Sequence, residues 1–256
     1  MRLLRRSSSP LHEPTDLRAE FEAAWDRLEI HAQGIHSTSD GSLFATEALL
    51  RWRRNPHELW AAGMILPIAD ETSRVEDCTR WATELSISTW ATSTRRHFGG
   101  RLALNFHGSQ IARPDLADEL RALLEVHGVG AGELILEIPD RLGPDGCRLA
   151  VDRLAPVIDD GARLALDDHR GMGSATQPDP SWFPAGSIVK LDTALVMACD
   201  DHDGAEILEL TADGLHAQGY ELVAESVERP GQLASVMRAH IGLAQGFLFA
   251  KPDLLV

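Results

Sequence analysis

The sequence predicts an α/β protein, a modified (β/α)8 TIM-type barrel with one antiparallel strand near its N-terminus. Three observations point there. Eight strand-like hydrophobic runs, interleaved with helical patterns, fill most of a 256-residue chain, a length suited to one such barrel. Runs along the chain end in a polar or charged residue, as barrel strands do when their C-terminal ends converge on an active site. The first two runs are joined only by the short polar turn from Ser37 to Gly41, which leaves no room for a crossover helix, so those strands run antiparallel.

Taken in order, residues 1–14 form a basic tail that reads as disordered. MRLLRRSSSP carries three arginines and no acid, and lacks the apolar core of a signal peptide. From Asp16 the pattern changes. Leu17, Phe21, Trp25 and Leu28 recur at helical spacing behind Pro14-Thr15-Asp16, predicting a leading helix over 15–28 that covers one end of the barrel. Strand-like runs follow near 29–35, 43–52, 101–106, 133–138, 162–167, 187–192, 220–225 and 242–247. Helical patterns lie near 75–96, 114–127, 144–159, 203–218 and 229–239. The stretch 171–186 is rich in Gly, Pro and Ser without a clear period, and predicts a mobile active-site loop.

Composition narrows the function classes. A hydrophobic share of 44% and a charged share of 25% describe a soluble globular domain. A formal net charge of −15 argues against binding large nucleic acids, which requires a basic face. No run approaches the roughly 20 apolar residues of a transmembrane helix. Three widely spaced cysteines, Cys78, Cys147 and Cys199, read as reduced thiols of a cytoplasmic protein.

The residues that end the runs carry the chemistry. They are Glu47 in TEALLRW, Asn105 in RLALNF, Glu137 in ELILEI, Asp167-Asp168 in ARLALDD, Lys190 in SIVKLD, Glu225 in ELVAES and Gln245 in LAQGF. Each has an ordinary alternative, as a helix cap, a turn residue or a structural ion pair. Together they would crowd five carboxylates at one rim, an arrangement that calls for cations. All-oxygen ligands suit Mg²⁺ or Mn²⁺ rather than zinc, and adjacent aspartates can bridge two ions, as in two-metal hydrolysis of a phosphodiester. Lys190 would orient water or neutralise developing charge, and Arg51 offers a fork donor to phosphate.

The run Glu47-Ala48-Leu49 followed by Leu50-Arg51-Trp52 resembles the signature of the EAL-domain family, the cyclic di-GMP phosphodiesterases. The likeness continues through LALNF, LILEIPD, LALDD, VKLD, LVAESVE and QGFLFAKP, which places an EAL-type barrel domain over 15–256. It implies that Glu47, Asn105, Glu137 and Asp167 hold one metal, and Asp167, Asp168 and Glu225 the other. It further implies that Lys190 contacts the catalytic water, with Asp168 and Glu225 beside it in the catalytic group. Gln33, Arg51 and Gln245 would face the substrate, with Glu228 and Asp140 supporting the ligands from behind. The implied reaction opens cyclic di-GMP to linear pGpG with two Mg²⁺ or Mn²⁺ ions, and the family's loop after the aspartates also organises a homodimer.

This chain departs from the family at that loop, reading DDHRGMGSAT where the family has DDFGTGYSSL, with His169 and Arg170 replacing Phe-Gly. Asp140 replaces a glutamate, and Gln33-Gly34-Ile35-His36 replaces Gln-Pro-Ile-Val. Alternatives therefore stand beside the phosphodiesterase: a cyclic di-GMP receptor without turnover, a proton-abstracting enzyme of the enolase type, and an interaction scaffold.

Overall fold

In a computed structural model of the chain, residues 17–23, 25–93, 96, 100–171 and 180–255 are described. The tail 1–14 and residues 172–179, half of the predicted loop 171–186, lie outside them. Ten strands form one sheet: β1 (Leu28–Ser37), β2 (Leu43–Asn55), β3 (Glu58–Ala61), β4 (Arg101–Asn105), β5 (Leu134–Pro139), β6 (Arg163–His169), β7 (Ile188–Leu191), β8 (Glu221–Ala224), β9 (Leu243–Ala244) and β10 (Asp253–Leu254). Eight of them, all but β3 and β10, close into a barrel. β2, β4, β5, β6, β7, β8 and β9 follow one another in parallel, and β1 pairs antiparallel with both β2 and β9 to complete the ring. The short turn after Ser37 has the effect read from the sequence. β3 and β10, absent from that reading, are short antiparallel additions to β2 and β1.

Nine α-helices are described: α1 (Leu17–Ala23), α2 (Ala62–Glu71), α3 (Val75–Thr92), α4 (Gly108–Ile111), α5 (Leu116–His127), α6 (Gly143–Asp159), α7 (Thr193–Ala198), α8 (His202–His216) and α9 (Pro230–Arg238). The leading helix is shorter than 15–28, with a 3₁₀ turn at Trp25–Arg27, and its buried Phe21 meets Trp52 of β2 edge-on at 5.4 Å. α2 was not legible because Pro67 lies inside it and reads as a break. α5 closes on Gly128 in the left-handed conformation (φ 63°), the usual helix stop.

Strand alternation sorts side chains into two compartments. One face of the barrel strands packs beneath the helices in the large outer core, with Leu102, Leu104, Leu164 and Leu166 among its members. The other face fills the barrel with one residue from each strand: Ile35, Ala45, Ala103, Ile135, Ala165, Ile188, Val223 and Leu243. This apolar layer is a packed floor, not a pore.

Candidate active site

Two residues beyond each floor residue, on the same face of the same strand or just past its end, stands a polar side chain. Ala45 leads to Glu47, Ala103 to Asn105, Ile135 to Glu137, Ala165 to Asp167, Ile188 to Lys190, Val223 to Glu225 and Leu243 to Gln245. On the antiparallel β1 the step is reversed, from Ile35 back to Gln33, which pairs with Glu47. The two-residue period of a strand thus converts one apolar layer into one polar layer above it.

Lys190 is the hub of that layer. Only 1% of it is exposed, and its Nζ lies 2.8 Å from Asp167 Oδ1, 3.0 Å from Glu225 Oε1, 3.1 Å from Glu137 Oε2 and 3.4 Å from Glu47 Oε2. The Asp167 contact has ion-pair distance without hydrogen-bond alignment. Burial alone would discharge the ammonium, but the surrounding carboxylates outweigh it and hold the Lys190 pKa well above that of an ordinary lysine.

The acids respond unequally. Burial pushes the Glu47 carboxyl up, yet Lys190 and donors from Asn105 and Gln245 pull it below its ordinary value. Asn105 Nδ2 donates to Glu47 Oε1 and Gln245 Nε2 to Glu47 Oε2, each at 2.7 Å. Gln245 also reaches Gln33 Oε1 at 3.3 Å, and Gln33 donates to the Ala250 carbonyl at 3.1 Å. Gly246 follows Gln245 because a Cβ there would collide with the Val227 backbone. Glu137 is raised well above the carboxylate range by burial and by the Glu47 charge. Burial, with Asp167 and Glu47 nearby and Lys190 opposing, lifts Glu225 to about 8. Burial and the neighbouring Asp167 lift Asp168 to about 6.

The aspartate pair is placed by a local break in β6. Asp168 adopts a left-handed backbone (φ 62°), and the pairing register with β7 shifts between Leu166 and His169. Both aspartates therefore reach the mouth. Oxygen atoms of Asp167, Asp168 and Glu225 lie within 4.8 Å of one another. Among the described residues, Glu137 Oε1 and Asp167 Oδ1 are buried without a hydrogen-bond donor. An all-oxygen set with orphaned carboxylate oxygens fits a hard divalent cation.

The remaining predicted residues lie further out. Arg51 is half-buried near Glu47, forms no ion pair among the described residues and donates to the Leu50 carbonyl. Asp140 is buried directly after β5, and its charge is felt by Asp168. Glu228 is exposed beyond β8, where its backbone N–H donates to Gln232 Oε1.

Sequence reasoning missed a chamber of about 640 Å³ beside the mouth. It opens at Asn105, His107, Arg141 and Asp167 and extends between the outer wall of β1, β2 and β4 and helices α2 and α3. The available signal was Thr79, Ala82, Thr83 and Ser86, small residues at helical spacing on the barrel-facing side of α3. Their hydroxyls donate to carbonyls within the helix, so they line the space without filling it.

Floor, polar layer and aspartate pair define an α/β barrel with a candidate divalent-metal site at its mouth. The pattern of the EAL domain family matches residues 16–252, and the chain belongs to that family. It is 29% identical over 98% of its length to the cyclic di-GMP phosphodiesterase NbdA of Pseudomonas aeruginosa, and 24% identical over 83% to the oxygen sensor protein DosP of Escherichia coli. It spans 32% of the first relative and 26% of the second, about a third of their length or less. Among solved structures, the PaMucR phosphodiesterase in complex with c-di-GMP superposes with a TM-score of 0.80 at 25% identity, covering 93% of this chain and 96% of that one. The FimX EAL domain from Pseudomonas aeruginosa, bound to c-di-GMP, shares the fold at 19% identity, with a TM-score of 0.79 and coverage of 93% and 96%.

Proposed function

We propose that the chain is a metal-dependent phosphodiesterase that hydrolyses cyclic di-GMP to linear pGpG. The observation that carries the proposal is the convergence of Asp167, Asp168 and Glu225 to within 4.8 Å beside Glu47, Asn105 and Glu137. Mg²⁺ or Mn²⁺ held by these residues would activate water and neutralise charge on the reacting phosphate. Glu47, Asn105, Glu137 and Asp167 would form one ligand set, and Asp167, Asp168 and Glu225 the other. Lys190 keeps its proton among the acids and supplies a fixed positive charge to the developing oxyanion. Gln33, Gln245 and Arg51 line the approach and orient the dinucleotide. Three buried free thiols fit a reducing cytoplasm.

A second reading, a cyclic di-GMP receptor without turnover, is favoured by His169 and Arg170, which replace Phe-Gly directly after the aspartates. Incubation with Mn²⁺ and cyclic di-GMP separates the two. Accumulating pGpG supports the enzyme, whereas saturable binding with intact nucleotide supports the receptor. Neither binding nor product would overturn both.

A further inference from the structure

Arg141 follows Glu137 by four residues, in the turn that leaves β5, and lies on the rim of the chamber with Asn105 and Asp167. Its guanidinium forms no ion pair among the described residues. Arg54, Arg96 and Arg113, by contrast, are each neutralised by a carboxylate. Asp70, at the end of α2, lines the same chamber without pairing to Arg141. The charge of Arg141 reaches inward: with burial, it helps to lower the pKa of His107 on the same rim. An exposed arginine beside so many acids, left without one of its own, is available to a ligand.

We propose that Arg141 binds the second, non-reacting phosphate of the cyclic dinucleotide, a positioning role added to the site; this rests on the phosphodiesterase reading above. The substrate is a dianion approaching a protein of net charge −15. Cations held by the acidic layer, with Arg51 beside Glu47, would compensate the reacting phosphate, and the other phosphate needs a positive partner on the rim. A guanidinium presents two parallel N–H donors that match two non-bridging phosphate oxygens. The chamber's 640 Å³ lies within the range of about 300–1,000 Å³ typical of small-molecule sites, so the ligand can seat beside the rim.

The test measures cyclic di-GMP affinity across a salt series with Ca²⁺ in place of the working cation, for the parent chain, Arg141→Gln and Arg141→Lys. Arg141→Gln is expected to weaken binding roughly tenfold and to reduce the slope of log affinity against log salt by about one, the signature of a lost phosphate contact. Arg141→Lys should restore the slope. In turnover with Mn²⁺, Arg141→Gln should raise KM by a similar factor and leave kcat within about twofold. Unchanged affinity and slope would overturn the assignment, as would weaker affinity with the parental slope, which marks a contact to the base. A parent chain without affinity for cyclic di-GMP would overturn the function itself, a result distinct from either.

Discussion

The acidic layer and the exit of β6 lie side by side and are built on opposite principles. In the layer, four buried or half-buried carboxylates share one buried ammonium, and amide donors cover both oxygens of Glu47. Two residues beyond Asp167, at the exit, His169 is 3% exposed and neither ring nitrogen has a hydrogen-bond partner among the described residues. Burial lowers its pKa, so the imidazole sits there neutral. Charge is tolerated inside this barrel where an opposite charge is built in, and a polar ring without a partner is a standing cost. The site is thus poised for cations, and the neighbouring exit carries a defect that further stabilisation can remove.

The sharpest way to break this contrast is Lys190→Ala. Removing the shared ammonium should cut turnover about 10²-fold or more while leaving nucleotide binding largely intact. It should also destabilise the metal-free protein by about 3–5 kcal/mol, because the carboxylates lose their internal counter-charge. Thermal melts with and without Mn²⁺ read this directly: the ion should recover more stability in the variant than in the parent. Equal activity and equal melts would remove Lys190 from its role.

A pH series sharpens the comparison. The folded-state pKa values of Asp168 and Glu225 are raised, so the folded protein binds these protons more tightly than the unfolded chain does. The stability that these two groups contribute to the metal-free protein is therefore fully present below the ordinary carboxylate range and is lost as pH rises through about 6 for Asp168 and about 8 for Glu225. A divalent ion must displace the same protons, so Mn²⁺ affinity should climb over that window. A flat affinity profile between pH 5 and 9 (the range on the order of the two shifted values and their flanks) would count against these two ligands. Glu47→Ala has a narrower effect: it removes the acceptor of both amide donors, and Mn²⁺ affinity measured calorimetrically should fall, whereas unchanged affinity would reject Glu47 as a ligand.

The smallest expected effect lies at the exit. His169→Phe replaces an unpartnered buried imidazole with an apolar ring of similar size. It should stabilise the protein by about 1–2 kcal/mol in denaturant unfolding, with Mn²⁺ affinity unchanged. A loss of stability would mean that the ring nitrogens have a partner in solution.

The legible and illegible parts of the chain follow the same divide. The barrel, its antiparallel first strand and the polar layer could be read because strand period and strand end are local signals: Ala103 to Asn105 or Ile188 to Lys190 is visible as a two-residue step. The left-handed turn at Asp168, which brings the second aspartate to the mouth, was not visible, since nothing local distinguishes it from a helix cap. α2 was hidden by Pro67. The chamber and Arg141 were hidden because they depend on how far α3 stands from the barrel wall, a tertiary distance that Thr79, Ala82, Thr83 and Ser86 only hint at.

On the proposed function, the acidic layer around Lys190 holds two cations. Anomalous diffraction at the manganese edge, from crystals grown with Mn²⁺ and cyclic di-GMP, tests it most directly. Two peaks per chain are predicted, one bounded by Glu47, Asn105, Glu137 and Asp167 and one by Asp167, Asp168 and Glu225. A mouth with nucleotide bound and no manganese, or manganese held elsewhere, would contradict it.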